Sequence, residues 1–372
     1  LRFVSGDYLI TSTAEVRGAG VVQLEHLAGA DVVVDLHGKV TQLGGQWNVV
    51  IGQLNVYDGV TYSSFVRVVV SGSGEVNIIA GGHVEIPLLS VISSDAHVNV
   101  LGTLDSSGLV QITDGFVTVT GALNTNETQL ATGEITGAGD VTMNGQLTWY
   151  SGIISGSGRL ILKGGLWIVT ASLKELSRAF VDAESAVTWM DGAIDSGVSS
   201  VVWTQFASTS FIIHSGTAWI GSPATELHNH GVISKVASEG SISMLTLKLA
   251  VYTGASFNVF VGEVSLVGTV LFGGSVSTSA SGSAILRLLS GSFTFQPGSQ
   301  VLGDGSIVAD ATDTGITVST NVGMSGGQFN VTSGTVNVHP LASFSTHVDV
   351  IVQHLGTLNV VGDVAEPSAV IP

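Results

Sequence analysis

Cysteine is absent from the 372-residue chain, which excludes disulfide bonds and thiolate chemistry. Charge is also scarce, because charged residues make up 10% of the sequence against about a quarter in an average protein. The 11 basic residues are scattered singly among 28 acidic ones, and the net charge of −17 argues against a nucleic-acid partner. No run approaches about 18 uninterrupted apolar residues, so we expect no membrane span.

Glycine and aliphatic residues are abundant instead. Glycine occurs 49 times, and hydrophobic residues, rich in valine and isoleucine, make up 44% of the chain. Valine and isoleucine favour strands, and this much apolar material can build a core, so disorder is not expected. With so little charge, the surface must consist largely of Ser, Thr, Asn, Gln and Gly. This composition is typical of an all-β extracellular protein.

One triplet recurs along the chain: an apolar residue, then Asn, then Val or Ile. The triplets centre on Asn48, Asn55, Asn77, Asn99, Asn258, Asn330, Asn337 and Asn359. The positions of Asn55, Asn77 and Asn99 increase in steps of 22 (77 − 55 and 99 − 77), and the same step separates Asn337 from Asn359 (359 − 337). The step between the first two triplets is only 7 (55 − 48). Two nested periods predict a three-sided coil of about 22 residues, with about seven residues a side.

The two ends of the chain support this repeat, since residues 44–56 and 326–338 are identical at 8 of 13 positions. At about 22 residues each, the chain would form about 17 coils of parallel strands. Asparagines at equivalent positions on successive coils would form a hydrogen-bonded ladder. The alternative is that they only face water between inward-pointing residues.

One stretch departs from this rhythm. In Ser172–Ser185, apolar residues Leu173, Leu176 and Phe180 fall at helical spacing, and charged residues occupy other positions. This pattern predicts either one or two helical turns that bulge from a coil, or an ordinary pair of strands with charged turns.

Three motifs resemble those of known repeat proteins. Gly-x-Gly-x-Φ-x-Φ, where Φ is apolar, begins at Gly137 and again at Gly156, and Φ-Thr-Trp-x-x-Gly surrounds Trp149 and Trp189. Gly-Gly-Gln-[Trp/Phe]-Asn-Val opens both matched segments. These motifs resemble the glycine-rich β-solenoid repeats of large secreted or cell-surface proteins: filamentous-haemagglutinin-like adhesins, autotransporter passengers and extracellular proteins of protists. The resemblance implies a single-stranded, right-handed parallel β-helix at the cell exterior, and no particular activity.

Few residues suggest a chemical site. His228 and His230 are weak candidates for metal ligands, with Glu226 nearby, but an Asn-His-Gly corner between strands explains them as well. We expect no cofactor. Asn126 and Asn330 stand in Asn-x-Thr triplets and are glycosylation acceptors in a secreted eukaryotic protein. Asn126 lies in a polar stretch and is the better acceptor, since Asn330 falls within a predicted strand.

Two functions remain. The first is a non-enzymatic, extracellular structural or adhesive rod that forms part of a cell-surface fibre. Its partners would be copies of itself, co-assembling surface proteins or surface carbohydrate. The second is a polysaccharide lyase or hydrolase, which would need acidic and basic side chains gathered on adjacent coils. The arginines are isolated, and we expect Arg159 and Arg178 to pair at the surface with Glu175 or Asp182. We expect one continuous domain over residues 1–372, cut from a longer protein because no leader precedes Leu1.

Overall fold

The computed structural model describes residues 1–25, 31–42, 44–60, 62, 66–236, 242–279, 283–345 and 347–360. The chain divides into two compact units, Leu1–Ser185 and Ala186–Pro372, and each is a parallel β-solenoid. Strands hold 65% of the residues, and none of the described residues is helical. The single continuous domain expected over residues 1–372 stays a prediction.

All the strands are short or bent, and each takes its bounds from the chain as follows. In the first unit they are β1 (Arg2–Phe3), β2 (Gly6–Ile10), β3 (Glu15–Gly18), β4 (Val21–Leu24), β5 (Val32–Leu36), β6 (Lys39–Gln42), β7 (Gln46–Val56), β8 (Arg67–Ile78), β9 (His83–Glu85), β10 (Leu88–Val91), β11 (His97–Val100), β12 (Thr103–Ile112), β13 (Phe116–Val119), β14 (Ala122–Leu130), β15 (Glu134–Thr136), β16 (Asp140–Met143), β17 (Leu147–Trp149), β18 (Gly152–Leu162), β19 (Leu166–Ile168) and β20 (Lys174–Ala183). In the second unit they are β21 (Val187–Trp189), β22 (Ala193–Asp195), β23 (Val202–Gln205), β24 (Ser210–Ile213), β25 (Ala218–Ile220), β26 (Glu226–Asn229), β27 (Val232–Lys235), β28 (Ile242–Thr246), β29 (Lys248–Val251), β30 (Ser256–Val259), β31 (Glu263–Phe272), β32 (Ser275–Thr278), β33 (Ile285–Phe295), β34 (Gln300–Gly303), β35 (Ser306–Val318), β36 (Val322–Met324), β37 (Gln328–Val338) and β38 (Asp349–Val360).

Each coil has three sides, as the sequence predicts. Strands β4, β5 and β6 form the sides of one coil, and β7 runs unbroken through the next corner. Its first half pairs with β4 and its second half with β5. The short step between the first two asparagine triplets is therefore the distance between two sides of one bent strand.

The coils average about 22 residues and number about 16 in all. Their length varies, because Val117 pairs with Ile135 at a sequence step of 18 (135 − 117), whereas Val276 pairs with Val301 at a step of 25 (301 − 276). The longer coils explain why there are fewer than the 17 that a fixed period predicts.

The core lies inside the coils because every second residue of a strand points inward. Trp47 and Leu54 on β7 are fully buried, with polar residues between them. In the second unit, aromatic rings fill the interior. Trp203 and Trp219 meet edge to face with ring centres 5.4 Å apart, and Trp189 meets Trp219 at 6.3 Å. Such contacts add to the burial of the rings themselves.

Stacked glycines form some of the corners, and this explains the Gly-x-Gly motif. Gly156 has φ of +108°, and a Cβ there would overlap the carbonyl oxygen of Gly137 on the preceding coil. A Cβ at Gly158 would likewise overlap the carbonyl oxygen of Gly139. Only glycine allows the backbones of adjacent coils to approach this closely at the corner.

The stretch with helical spacing forms strand β20, so the second of its two interpretations is correct. Leu176 is buried, whereas Leu173 and Phe180 are 47% and 43% exposed. The three apolar side chains therefore share no face. Pairing of β20 with β18 supplies the backbone hydrogen bonds that a helix would have made internally.

Candidate functional sites

An asparagine column runs along one side of the first unit. The register places Asn55, Asn77 and Asn99 at equivalent positions on consecutive coils. Asn77 donates from Nδ2 to Oδ1 of Asn55 at 2.9 Å, and Asn99 donates to Asn77 at 2.9 Å. Asn55 donates to the carboxylate of Asp35 at 2.8 Å, so a charged acceptor ends the chain of bonds. Because each amide is satisfied by its neighbour, the column holds coils together rather than offering groups to a ligand.

The column continues beyond the asparagines, which the sequence analysis did not anticipate. Thr118 pairs with Asn99, and Thr136 pairs with Thr118. On the next coil, Ser155 Oγ lies 2.6 Å from Thr136 Oγ1 and donates to Glu134 at 2.7 Å. The sequence steps here are 18 or 19 (118 − 99, 136 − 118 and 155 − 136), so a search at a fixed step of 22 misses them. The detectable signal is a small polar residue between two inward apolar residues.

The second unit contains a shorter version of this column. Asn337 and Asn359 are partners on β37 and β38, and Asn359 donates to Asn337 at 3.1 Å. The coil before carries Thr317 at this position.

The two predicted glycosylation acceptors differ in access. Asn126 is exposed at a corner of β14, although the hydroxyl of Thr128 in the same triplet is buried and lies 2.8 Å from Thr125 Oγ1. Asn330 is half-buried on β37, and its Nδ2 donates to Gln328 at 3.3 Å. Attachment of a glycan to either residue stays a prediction.

A polar groove of about 600 Å³ lies on the first unit, beside the corner that carries Asn126. Its walls are Glu85, Asp105, Ser106, Ser107, Asn124 and Asn126, and Asn144 closes one end. The carboxylate of Asp105 is held from two sides, by Asn124 Nδ2 at 2.7 Å and by His83 Nε2 at 2.8 Å. We call this surface the polar groove.

A second cluster surrounds His228 in the second unit. The Nδ1 of His228 lies 2.7 Å from the hydroxyl of Tyr252, and its Nε2 lies 3.1 Å from Glu226. Glu226 also accepts a hydrogen bond from Lys248 at 3.1 Å. The bond from Lys248, followed by that from His228, holds the pKa of Glu226 below its ordinary value. His230 stacks flat on Tyr252, with ring centres 4.1 Å apart. We call these five residues the His228 cluster.

The His228 cluster shows which residues the sequence analysis found and which it missed. Both nitrogens of His228 already lie within hydrogen-bonding distance of protein groups, and His230 sits at the predicted corner, where Asn229 Oδ1 accepts from the amide of Gly231. Among the described residues, no three His, Cys, Asp or Glu side chains gather so that they could hold a metal ion. Lys248 and Tyr252 were not anticipated, although each follows its partner on the preceding coil at a sequence step of 22 (248 − 226 and 252 − 230).

The arginines pair mainly between coils. Arg159 donates from Nε to Asp182 at 2.8 Å. Arg287 bonds Glu263 at 2.8 Å on the preceding coil and Asp310 at 2.6 Å on the following one. Partial burial acts to raise the pKa of Glu263, but the bonds from Arg287 and Ser265 outweigh it and leave this pKa below its ordinary value.

Arg178 does not lie at the surface, so that expectation was wrong. Its side chain is fully buried, and the guanidinium donates to the carbonyl oxygens of Ser155 at 2.8 Å, Gly139 and Arg159. These carbonyls belong to the corner of stacked glycines, which have no side chains to fill it. Burial lowers the pKa of Arg178 to about 10.

No helix among the described residues is long and apolar enough to cross a membrane. Comparison of the chain with known protein families, curated proteins and solved structures finds no match.

Proposed function

We propose that the chain is a non-enzymatic structural or adhesive module of the cell exterior, which assembles into a surface fibre or filament. The observation that carries this proposal is the use made of charge. Arg159, Arg287 and Lys248 each bond a carboxylate on an adjacent coil. Their charges therefore join coils, and the asparagine columns do the same with uncharged groups. Such faces carry little net repulsion against a second copy.

Strand β38 supports assembly. Its inward residues Val352 and Val360 pair with Val331 and Val338, which are buried, yet they are 43% and 59% exposed. Among the described residues, no coil covers their other side. An exposed strand edge with apolar residues invites pairing with another strand. A coil from a second copy would bury these valines.

The test is the size of the purified full chain over a concentration series, by light scattering and electron microscopy. We expect particles well above the 38.0 kDa of one chain, growing with concentration. Val352→Lys combined with Val360→Lys should reduce this association, because it places charge in the interface. Val198→Lys is the matched control, since Val198 is 95% exposed elsewhere. A single-chain species at every concentration, or equal loss in the control, would contradict assembly.

One observation favours a second candidate, a polysaccharide-active enzyme. In the His228 cluster, a tyrosine hydroxyl contacts an imidazole that a carboxylate orients. This is the arrangement of a general acid or base with its supporting group. The test is release of new chain ends from a panel of neutral and acidic polysaccharides. The enzyme hypothesis expects activity that Tyr252→Phe abolishes and that Tyr150→Phe, a change to another exposed tyrosine, leaves intact. Absence of activity in the unmodified chain favours the structural module.

A further inference from the structure

The polar groove exists because one corner is a residue shorter than the corner before it. Strands β12 and β14 pair at Ser106 with Thr125 and again at Leu109 with Glu127. Between these pairs β12 has two residues, Ser107 and Gly108, whereas β14 has only Asn126. The wall therefore steps back at Asn126. The next coil has Gly145 here, where a Cβ would overlap the carbonyl oxygen of Asn126. No side chain of that residue fills the step.

The groove presents unused hydrogen-bonding groups on a fixed frame. Among the described residues, the side chains of Glu85, Ser107, Asn126 and Asn144 make no hydrogen bond to the protein. All four are exposed. Beside them, Asp105 is held in place by Asn124 and His83. A ligand would thus meet free amides, a hydroxyl and a carboxylate without first breaking bonds within the protein.

Size and charge narrow the ligand class. The groove crosses four consecutive coils, which are about 4.8 Å apart, and so extends for about 14 Å. Its volume of about 600 Å³ lies within the range of ligand sites. Glu85 and Asp105 repel anions, and no lysine or arginine lines the groove. Amides both donate to and accept from hydroxyl groups, and carboxylates accept from them. A neutral chain of two or three linked sugar rings meets all these conditions.

We propose that the polar groove binds a neutral oligosaccharide. This deepens the proposed function, on which it rests, by naming what the adhesive surface would contact. No aromatic ring lines the groove, so one site binds weakly, and several copies in an assembly would bind a glycan-covered surface by avidity.

The experiment titrates the full chain, made in a bacterial host so that Asn126 is unmodified, with mannohexaose, cellohexaose and maltohexaose. Calorimetry and the side-chain amide signals in NMR spectra report binding. We expect at least one of these sugars to bind with Kd of about 0.1 to 5 mM. Asn126→Ala and Asn144→Ala should each weaken binding about threefold to tenfold, the effect of one lost hydrogen bond. Asn321→Ala, a change to an exposed asparagine of the second unit, should leave it unchanged.

Three results would overturn the proposal: no binding of any of the three sugars at about 20 mM, binding that survives the Asn126→Ala and Asn144→Ala double substitution, or a response to calcium chloride alone. The double variant should fold, since neither removed side chain bonds the protein, and circular dichroism checks this. Light scattering of the same samples separates the two proposals. Absence of sugar binding with association intact removes the saccharide site only, whereas absence of association contradicts the assembling module.

Discussion

At the scale of single residues, the asparagine column carries a specific energetic role. Asn77 stands at its centre and both donates to Asn55 and accepts from Asn99. The spacing in the sequence was enough to find these three residues and the coil period. It was not enough to find Asp35 and the later threonines, because shorter coils and a change of residue type interrupt the pattern.

Asn77→Ala should lower the free energy of unfolding of the first unit by about 1 to 3 kcal/mol, because two hydrogen bonds are lost and two partners are left with unpaired groups. Urea unfolding, with hydrogen exchange to localise the effect, measures this. Asn359→Ala is the control. It removes one bond at an exposed position and should cost less than about 1 kcal/mol. Equal costs for the two variants would mean that the column contributes nothing as a network.

Lys235 predicts an unusual dependence of stability on pH. Burial lowers the pKa of this lysine to about 8, although its ammonium donates to the carbonyl oxygens of His214 at 3.0 Å and Ser215 at 2.6 Å. Between about pH 8 and the ordinary lysine pKa of 10.5, the unfolded chain holds a proton that the folded chain has released. Through this residue, the free energy of unfolding therefore rises with pH across that window.

The measurement is thermal unfolding from pH 7 to pH 11, with Lys235→Met as the comparison. The difference in stability between the unmodified chain and this variant should move in favour of the unmodified chain as pH rises, by at most about 1.4 kcal/mol per pH unit. A difference that does not change with pH would show that Lys235 titrates as an ordinary exposed lysine.

At the scale of elements, corners decide what the sequence can specify. The helical spacing in Ser172–Ser185 was misleading because a strand that turns a corner exposes and buries residues in no simple period. Leu173 precedes the corner and Phe180 follows it, and both face outward. Corner geometry depends on the coil below, which local sequence does not contain. For the same reason, the buried position of Arg178 could not be inferred from its neighbours in the chain.

The stacked corner at Gly156 supplies a prediction. Gly156→Ala adds a Cβ that overlaps the preceding coil and requires a strained φ, so it should destabilise the first unit by about 3 kcal/mol or more. Urea unfolding measures the change. Gly20→Ala is the matched control, since nothing lies within 4 Å of its Cβ, and its effect should stay within about 0.5 kcal/mol. A tolerated alanine at Gly156 would contradict this account of the Gly-x-Gly motif.

At the scale of the whole molecule, repetition made the fold readable and the function less so. A regular sequence period and the scarcity of charge predict a parallel solenoid, because each coil buries its apolar residues only against its neighbours. The polar groove and the His228 cluster depend on side chains brought together by coils of unequal length. Glu226 and Lys248 meet at a sequence step of 22, whereas Asp105 and Asn124 meet at a step of 19. A single repeat length therefore finds one site and misses the other.

The central claim is that this solenoid functions as an assembled surface module, and native material tests it most directly. Extracts of the source cells, separated into surface and internal fractions, can be sedimented on a density gradient and followed with an antibody against the chain. We predict that the protein lies in the surface fraction, in particles many times larger than one chain. A strictly monomeric species that releases new ends from a polysaccharide would contradict the account in favour of the enzyme.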